Sequence, residues 1–195
     1  MNKYRLEAFS DAVLAIIITI MVLELRVPEE PDWHGLLTVL PTFLSYLLSF
    51  VYVGIYWNNH HHLIQLAGTV NGSILWANLH LLFWLSLLPF TTRWTDESGF
   101  AQVPVIVYGA NLLLAAVAYY ILQSRIIAQQ GPRGALATAI GRDWKGKVSP
   151  FIYLTGIGLS LVNPLLGMGA YIVVALLWLV PDRRLERAVV GRQEA

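Results

Sequence analysis

Few residues in this chain are suited to chemistry, and most fall on three short stretches: Arg5 with Phe9-Ser10-Asp11, the run Trp57-Asn58-Asn59-His60-His61-His62, and Asn78 with His80. A carboxylate such as Asp11 beside a long apolar run is costly unless it is paired, hydrated or set against the partial positive charge of a helix N-terminus. Arg5, Ser10 and polar groups on other helices can supply donors, and from the residue alone structural pairing and proton handling are both open. The consecutive histidines invite a metal reading, because imidazole is a common ligand and membrane iron enzymes gather several His boxes. With five His in all, no Cys and few carboxylates to complete a coordination sphere, no metal centre is expected. No phosphate-binding glycine loop and no Ser-His-Asp arrangement is present either, so an enzyme is not expected, and no cofactor.

The elements that must hold these residues are apolar helices. Hydrophobic residues make up 56% of the 195 and charged residues 13%, against about a quarter charged in an ordinary soluble domain. Mean hydropathy is +0.59. The charges gather between the apolar runs, which therefore have hydrocarbon as their solvent. Seven Trp and nine Tyr fit that environment, since both favour bilayer interfaces. The runs predict an all-α membrane protein with six crossings, near residues 6–26, 36–64, 71–93, 101–129, 148–165 and 168–181. Val27-Pro28-Glu29-Glu30-Pro31-Asp32 stops the first, because Pro removes a donor and the acidic side chains need water. Asn163-Pro164-Leu165-Leu166-Gly167 reads as a turn between the last two helices or as a kink in one long helix.

Charge asymmetry favours six crossings. Lys3, Arg5, Arg125, Arg133, Arg142, Lys145, Lys147 and the C-terminal arginines then share one side. Glu29, Glu30, Asp32, Asp96 and Glu97 share the other, with Arg26 and Arg93 as its only cations. The positive-inside rule places both termini in the cytoplasm; five crossings would carry the basic C-terminus outside. Residues 1–182 thus read as one transmembrane domain and 183–195 as a short basic cytoplasmic tail attracted to anionic headgroups. The N-terminal MNKYRLEAFSD lacks the pattern of a cleaved signal peptide, so the first run reads as a retained helix. The basic residues follow this topology, so nucleic acid is not an expected partner.

On a helical wheel Phe9, Ala12, Ile16, Thr19, Ile20 and Leu23 form one stripe, a single hydroxyl among apolar side chains. Ordinary packing accounts for such a stripe when it is taken alone, with Thr19 bonded back to its own helix. Gly156, Gly158, Ser160, Gly167 and Gly169 allow the last two helices to approach closely.

The spacing of Arg5 to Phe9-Ser10-Asp11, the following AVLAIIITIMVLEL and the Val-Pro stop resemble the first helix of the transmembrane protein 175 family of potassium channels. Trp57 to His62 and the stretch from Asn78 through Leu88-Pro89-Phe90-Thr91 are similar too, and the six-crossing layout extends the resemblance over nearly the whole chain. The resemblance implies a homotetrameric cation channel of a prokaryotic plasma membrane, with the first helix of each chain lining a central pore. It implies a hydrophobic constriction at Ile16, continued by Ile20 and Leu23, and a potassium-favouring hydroxyl layer at Thr19. A second hydroxyl position of some members is Ala15 here. It also implies that the Arg5, Phe9, Ser10 and Asp11 motif braces the pore helix. His60, His61, Asn78 and His80 are the expected partners of Ser10 or Asp11 on the second and third helices.

Stripe and resemblance meet on the same face. Four Ile16 side chains can close a pore by dewetting, and four Thr19 hydroxyls can replace part of an ion's hydration shell. Nothing here is like the Thr-Val-Gly-Tyr-Gly carbonyl filter, so potassium preference over other monovalent cations is expected to be modest. The alternative is a proton-coupled transporter or proton-conducting protein that uses Asp11 and the His60–His62 region. Transporters usually show internal repeats and broken midplane helices, and neither is evident in the sequence.

Overall fold

The computed structural model describes residues 3–131, 134–140 and 143–179, and among them every regular element is an α-helix. In chain order these are α1 (Lys3–Leu23), α2 (Trp33–Thr38), α3 (Leu40–Leu66), α4 (Gly72–Ser86), α5 (Leu88–Glu97), α6 (Gln102–Gln130), α7 (Ala135–Ile140), α8 (Trp144–Ser160) and α9 (Pro164–Leu179).

Local chemistry sets the ends of these helices. Side-chain oxygens of Asp32, Asn71 and Asp143 accept from the backbone N–H of Gly35, Ile74 and Gly146, capping α2, α4 and α8. Pro41 and Pro89 sit in the first turns of α3 and α5, where a missing N–H costs nothing. The break at Leu87 is slight enough that Gly72–Glu97 runs as one span.

The boundaries differ from the sequence expectation at both ends of the chain. α1 stops at Leu23 rather than near 26. α8 begins four and ends five residues earlier than expected and α9 begins four earlier, as Asp143 caps the first turn of α8 and the turn falls at Leu161-Val162-Asn163. Asn163 Oδ1 accepts from Leu165 N at 2.9 Å, so Pro164 opens α9 instead of bending a longer helix. α8 and α9 are therefore separate helices. The tail 183–195 and the end of the expected last helix lie outside the described residues.

Four helical segments are long and apolar enough to cross a membrane: Lys3–Leu23, Leu40–Leu66, Gly72–Glu97 and Gln102–Gln130. α8 and α9, of 17 and 16 residues, pack on each other along their length as a hairpin. Gly167 lies against Ser160 Oγ and the Gly156 carbonyl there, and a Cβ at this position has no room. Behind the hairpin the core is a tyrosine cluster: ring centroids lie 6.0 Å apart for Tyr108 and Tyr171, 6.3 Å for Tyr153 and Tyr171, and 6.4 Å for Tyr52 and Tyr153. Gly109 and Gly156 leave the space that the Tyr171 ring fills. α1 stands at the edge of this bundle, packed on α3, α4 and α5.

Candidate functional site

α1 buries one side only. Leu6, Ser10, Leu14, Ile17 and Met21 recur at steps of three and four and face the bundle. Roughly 130° round the helix, at 100° per residue, lie Phe9, Ala12, Ile16, Thr19, Ile20 and Leu23, all exposed in the single chain. Ile16 is 57% and Leu23 83% exposed, so these β-branched and apolar side chains have no covering partner within their own subunit. The Thr19 hydroxyl donates to the Ile16 carbonyl at 2.8 Å. That bond uses its proton and leaves the oxygen lone pairs directed away from the helix, the state in which a hydroxyl can ligate a cation. The Thr19 layer stands about 4.5 Å along the axis from Ile16, at 1.5 Å per residue. Arg5 falls on the same exposed face, one turn before Phe9, and has no hydrogen bond or ion pair to its side chain among the described residues.

The buried side of α1 carries two polar connections. Towards α4, Ser10 Oγ donates to the Leu6 carbonyl at 2.8 Å, Asn78 Nδ2 donates to Ser10 Oγ at 2.9 Å, and His60 Nε2 lies 2.7 Å from Asn78 Oδ1. Because Asn78 Oδ1 can only accept, Nε2 carries the proton in this ring. The three side chains are 0%, 0% and 1% exposed, so the chain is sealed from solvent and ties α1, α3 and α4 into one unit. His60 Nδ1 has no partner among the described residues.

Towards α3 the contacts form a ladder between antiparallel helices. Lys3 Nζ donates to the Gln65 carbonyl at 3.1 Å, Glu7 Oε1 lies 3.0 Å from His61 Nδ1, and Trp57 Nε1 donates to Asp11 Oδ1 at 3.1 Å. Gln65 Nε2 and His61 Nε2 are 2.7 Å apart, and the Trp57 and His61 rings stack with centroids at 6.5 Å. The rungs repeat every four residues on both helices, one rung per turn. At the far end, Arg93 joins Glu24, the residue after α1, to Glu97 of α5, and Arg26 pairs with Glu97 as well.

Of the residues expected to meet the Ser10-Asp11 motif, the structure brings Asn78 to Ser10, while His60 bonds Asn78 and touches neither Ser10 nor Asp11 by a hydrogen bond of its own among the described residues. His61 goes to Glu7 and Gln65 instead of Asp11. His80 is exposed and accepts from Trp84 Nε1 one turn along its own helix at 2.9 Å, so it reaches neither Ser10 nor Asp11. Sequence reasoning missed Lys3, Glu7, Trp57 and Gln65. Their signal was the matched four-residue spacing of Lys3, Glu7 and Asp11 with Trp57, His61 and Gln65, which only an antiparallel pairing of the two helices turns into contacts. Among the described residues no three His, Cys, Asp or Glu side chains converge as metal ligands.

The family model described as endosomal/lysosomal potassium channel TMEM175 matches residues 5–89, which hold the stripe and every rung of the ladder except Lys3. A potassium channel of Chryseobacterium sp. is 56% identical over 189 residues, covering 97% of this chain and 98% of that protein. The chain belongs to the TMEM175 family. A second bacterial relative, a potassium channel of Chamaesiphon minutus, is 30% identical over 187 residues, 88% of this chain and 91% of that one. The crystal structure of a lysosomal potassium-selective channel TMEM175 homolog from the same organism superposes with a TM-score of 0.79 at 28% identity, covering 92% of this chain and 97% of that chain. The human relative, named an endosomal/lysosomal proton channel, is 33% identical over 116 residues, 53% of this chain and 23% of that protein. TMEM175 is a family of ion channels, and the chain is a membrane transport protein rather than an enzyme.

Proposed function

We propose that this chain is a potassium-preferring cation channel in which four copies surround a pore lined by the exposed stripe of α1. The observation that carries the proposal is that stripe: Phe9, Ala12, Ile16, Thr19, Ile20 and Leu23 are left uncovered by the rest of the subunit. The opposite side of the same helix is fixed by buried hydrogen bonds. A helix held on one side and bare on the other fits a wall shared by several copies. The names of the bacterial relatives supply the ion.

In this reading Ile16, with Ile20 and Leu23 beyond it, forms the dewetting constriction, and Thr19 replaces part of the ion's hydration. The Ser10, Asn78 and His60 chain with the Lys3, Glu7 and Asp11 ladder keeps the helix from rotating. α8 and α9 are the fifth and sixth crossings, paired with each other as a hairpin. The charge pattern then puts both termini in the cytoplasm of a prokaryotic cell, with the channel in its plasma membrane.

Flux from proteoliposomes tests the proposal by comparing potassium and sodium gradients for the wild type, Ile16→Asn and Thr19→Ala. Potassium-favouring flux that rises with Ile16→Asn and loses its preference with Thr19→Ala supports it. No flux of either ion, unchanged by Ile16→Asn, overturns it.

The name of the human relative favours a second reading, proton conduction, and Glu7, Asp11 and His61 lie together beside α1. Acidification of the same vesicles without potassium movement would select it.

A further inference from the structure

We propose that each subunit also holds a binding site for an organic ammonium ion, away from α1, in the cavity enclosed by α3, α6, α8 and α9. The cavity holds about 560 Å³ of empty space, open solvent at its mouth included. Its walls are aromatic: Tyr56, Tyr119, Tyr120, Tyr153 and Trp178 all line it. At one end stands Asp143.

An aromatic ring face attracts a cation within about 6 Å, and a box of such faces is the known way to hold an alkylated ammonium group. Lys145 shows the contact inside this chain, with its Nζ 6.0 Å from the centroid of the Trp178 ring. The carboxylate gives the site its sign. Asp143 Oδ1 accepts from Gly146 N and Oδ2 from Gln123 Nε2, both at 3.1 Å. Both donors are neutral, and the one cation beside the lining among the described residues is the Lys145 ammonium, which an incoming ammonium ion would replace on the Trp178 ring.

Tyr120, 57% exposed, stands at the rim, and the lining residues come from the middle and later turns of α3 and α6, the end of α9 and the first half of α8, the half of the bundle that also carries Lys3, Arg125 and Lys145. That is where a lipid headgroup amine or a free organic ammonium ion can both arrive. α1 contributes nothing to the lining, so this site is independent of the pore reading.

The test is titration calorimetry of the purified full-length protein with choline, at constant potassium and ionic strength, first in nanodiscs of phosphatidylglycerol. Saturable binding of choline but not of its uncharged carbon isostere is expected. Asp143→Asn keeps an N-cap oxygen for Gly146 while deleting the charge, and should weaken binding about tenfold, the scale of losing one charge–charge attraction near a protein surface. Tyr120→Leu alters only the rim and should weaken it several-fold, a cation–π contact being worth about 0.5–2 kcal/mol. Nanodiscs of phosphatidylcholine separate the sources: loss of the free-choline signal there assigns the site to the lipid headgroup, and an unchanged signal assigns it to a soluble cation. No saturable binding, equal binding of the isostere, or wild-type affinity in both variants overturns the proposal. Because nothing in this readout depends on ion flux, its failure would leave the conduction reading untouched.

Discussion

Replacing Ser10 and Asn78 singly and together measures the buried tie between α1 and α4. Ser10→Ala removes the acceptor of Asn78 Nδ2 at a point where both side chains are 0% exposed, so a buried donor is left unpaired. Such a loss costs about 1–3 kcal/mol. Asn78→Ala takes away the Ser10 bond and the His60 bond together and opens space, which should cost about 3 kcal/mol. The Ser10–Asn78 bond is already lost in either single variant, so the double variant should fall short of the sum. The expected shortfall is about 1 kcal/mol, between the average of about 0.6 and the maximum of about 1.7 found for interhelical hydrogen bonds in a bilayer protein. Equilibrium unfolding in mixed SDS micelles reads all four corners of the cycle. Ser86→Ala, whose hydroxyl only bonds back to its own helix on an exposed face, should stay within about 0.5 kcal/mol. Additivity of the two substitutions within about 0.3 kcal/mol would refute the coupling.

Gly167→Val should destabilise by about 1–3 kcal/mol through overpacking against Ser160 and the Gly156 carbonyl. Gly158→Ala, where a Cβ meets nothing within 4 Å, should be neutral or stabilise by up to about 1 kcal/mol, and thermal unfolding in detergent compares the pair. Arg93→Ala breaks the ties to both Glu24 and Glu97, so amide exchange at the C-terminal end of α1 should quicken. Because these ion pairs are exposed, raising the salt should narrow the gap between variant and wild type.

What the sequence made legible was period and type. The apolar stripe of α1 was readable because it is continuous and holds one hydroxyl, and the structure leaves that stripe uncovered. Asn78 could be named as a partner for Ser10 because buried polar groups demand partners, and His60 proves to be the partner of Asn78 instead. Which partner each side chain finds was not readable, since that depends on helix rotation. His60 and His61 are adjacent in sequence, yet one faces α4 and the other α1. His80 looked equivalent to Asn78 but points 200° away at 100° per residue, and spends its ring on Trp84. The apolar runs put the turn before α9 between 165 and 168, whereas Asn163 and Pro164 make it, and Gly167 packs inside the helix as its small size suggested.

The chain contains no cysteine, so a thiol can be placed at one position without altering the rest. The most direct measurement of the α1 pore is potassium flux through Ile16→Cys, Thr19→Cys and Leu23→Cys before and after a water-soluble cationic thiol reagent, with Ile17→Cys and Met21→Cys on the buried side as controls. Block at the three stripe positions and none at the two buried ones is the predicted result. Block at Ile17 or Met21 with the stripe unreactive would contradict the α1 pore.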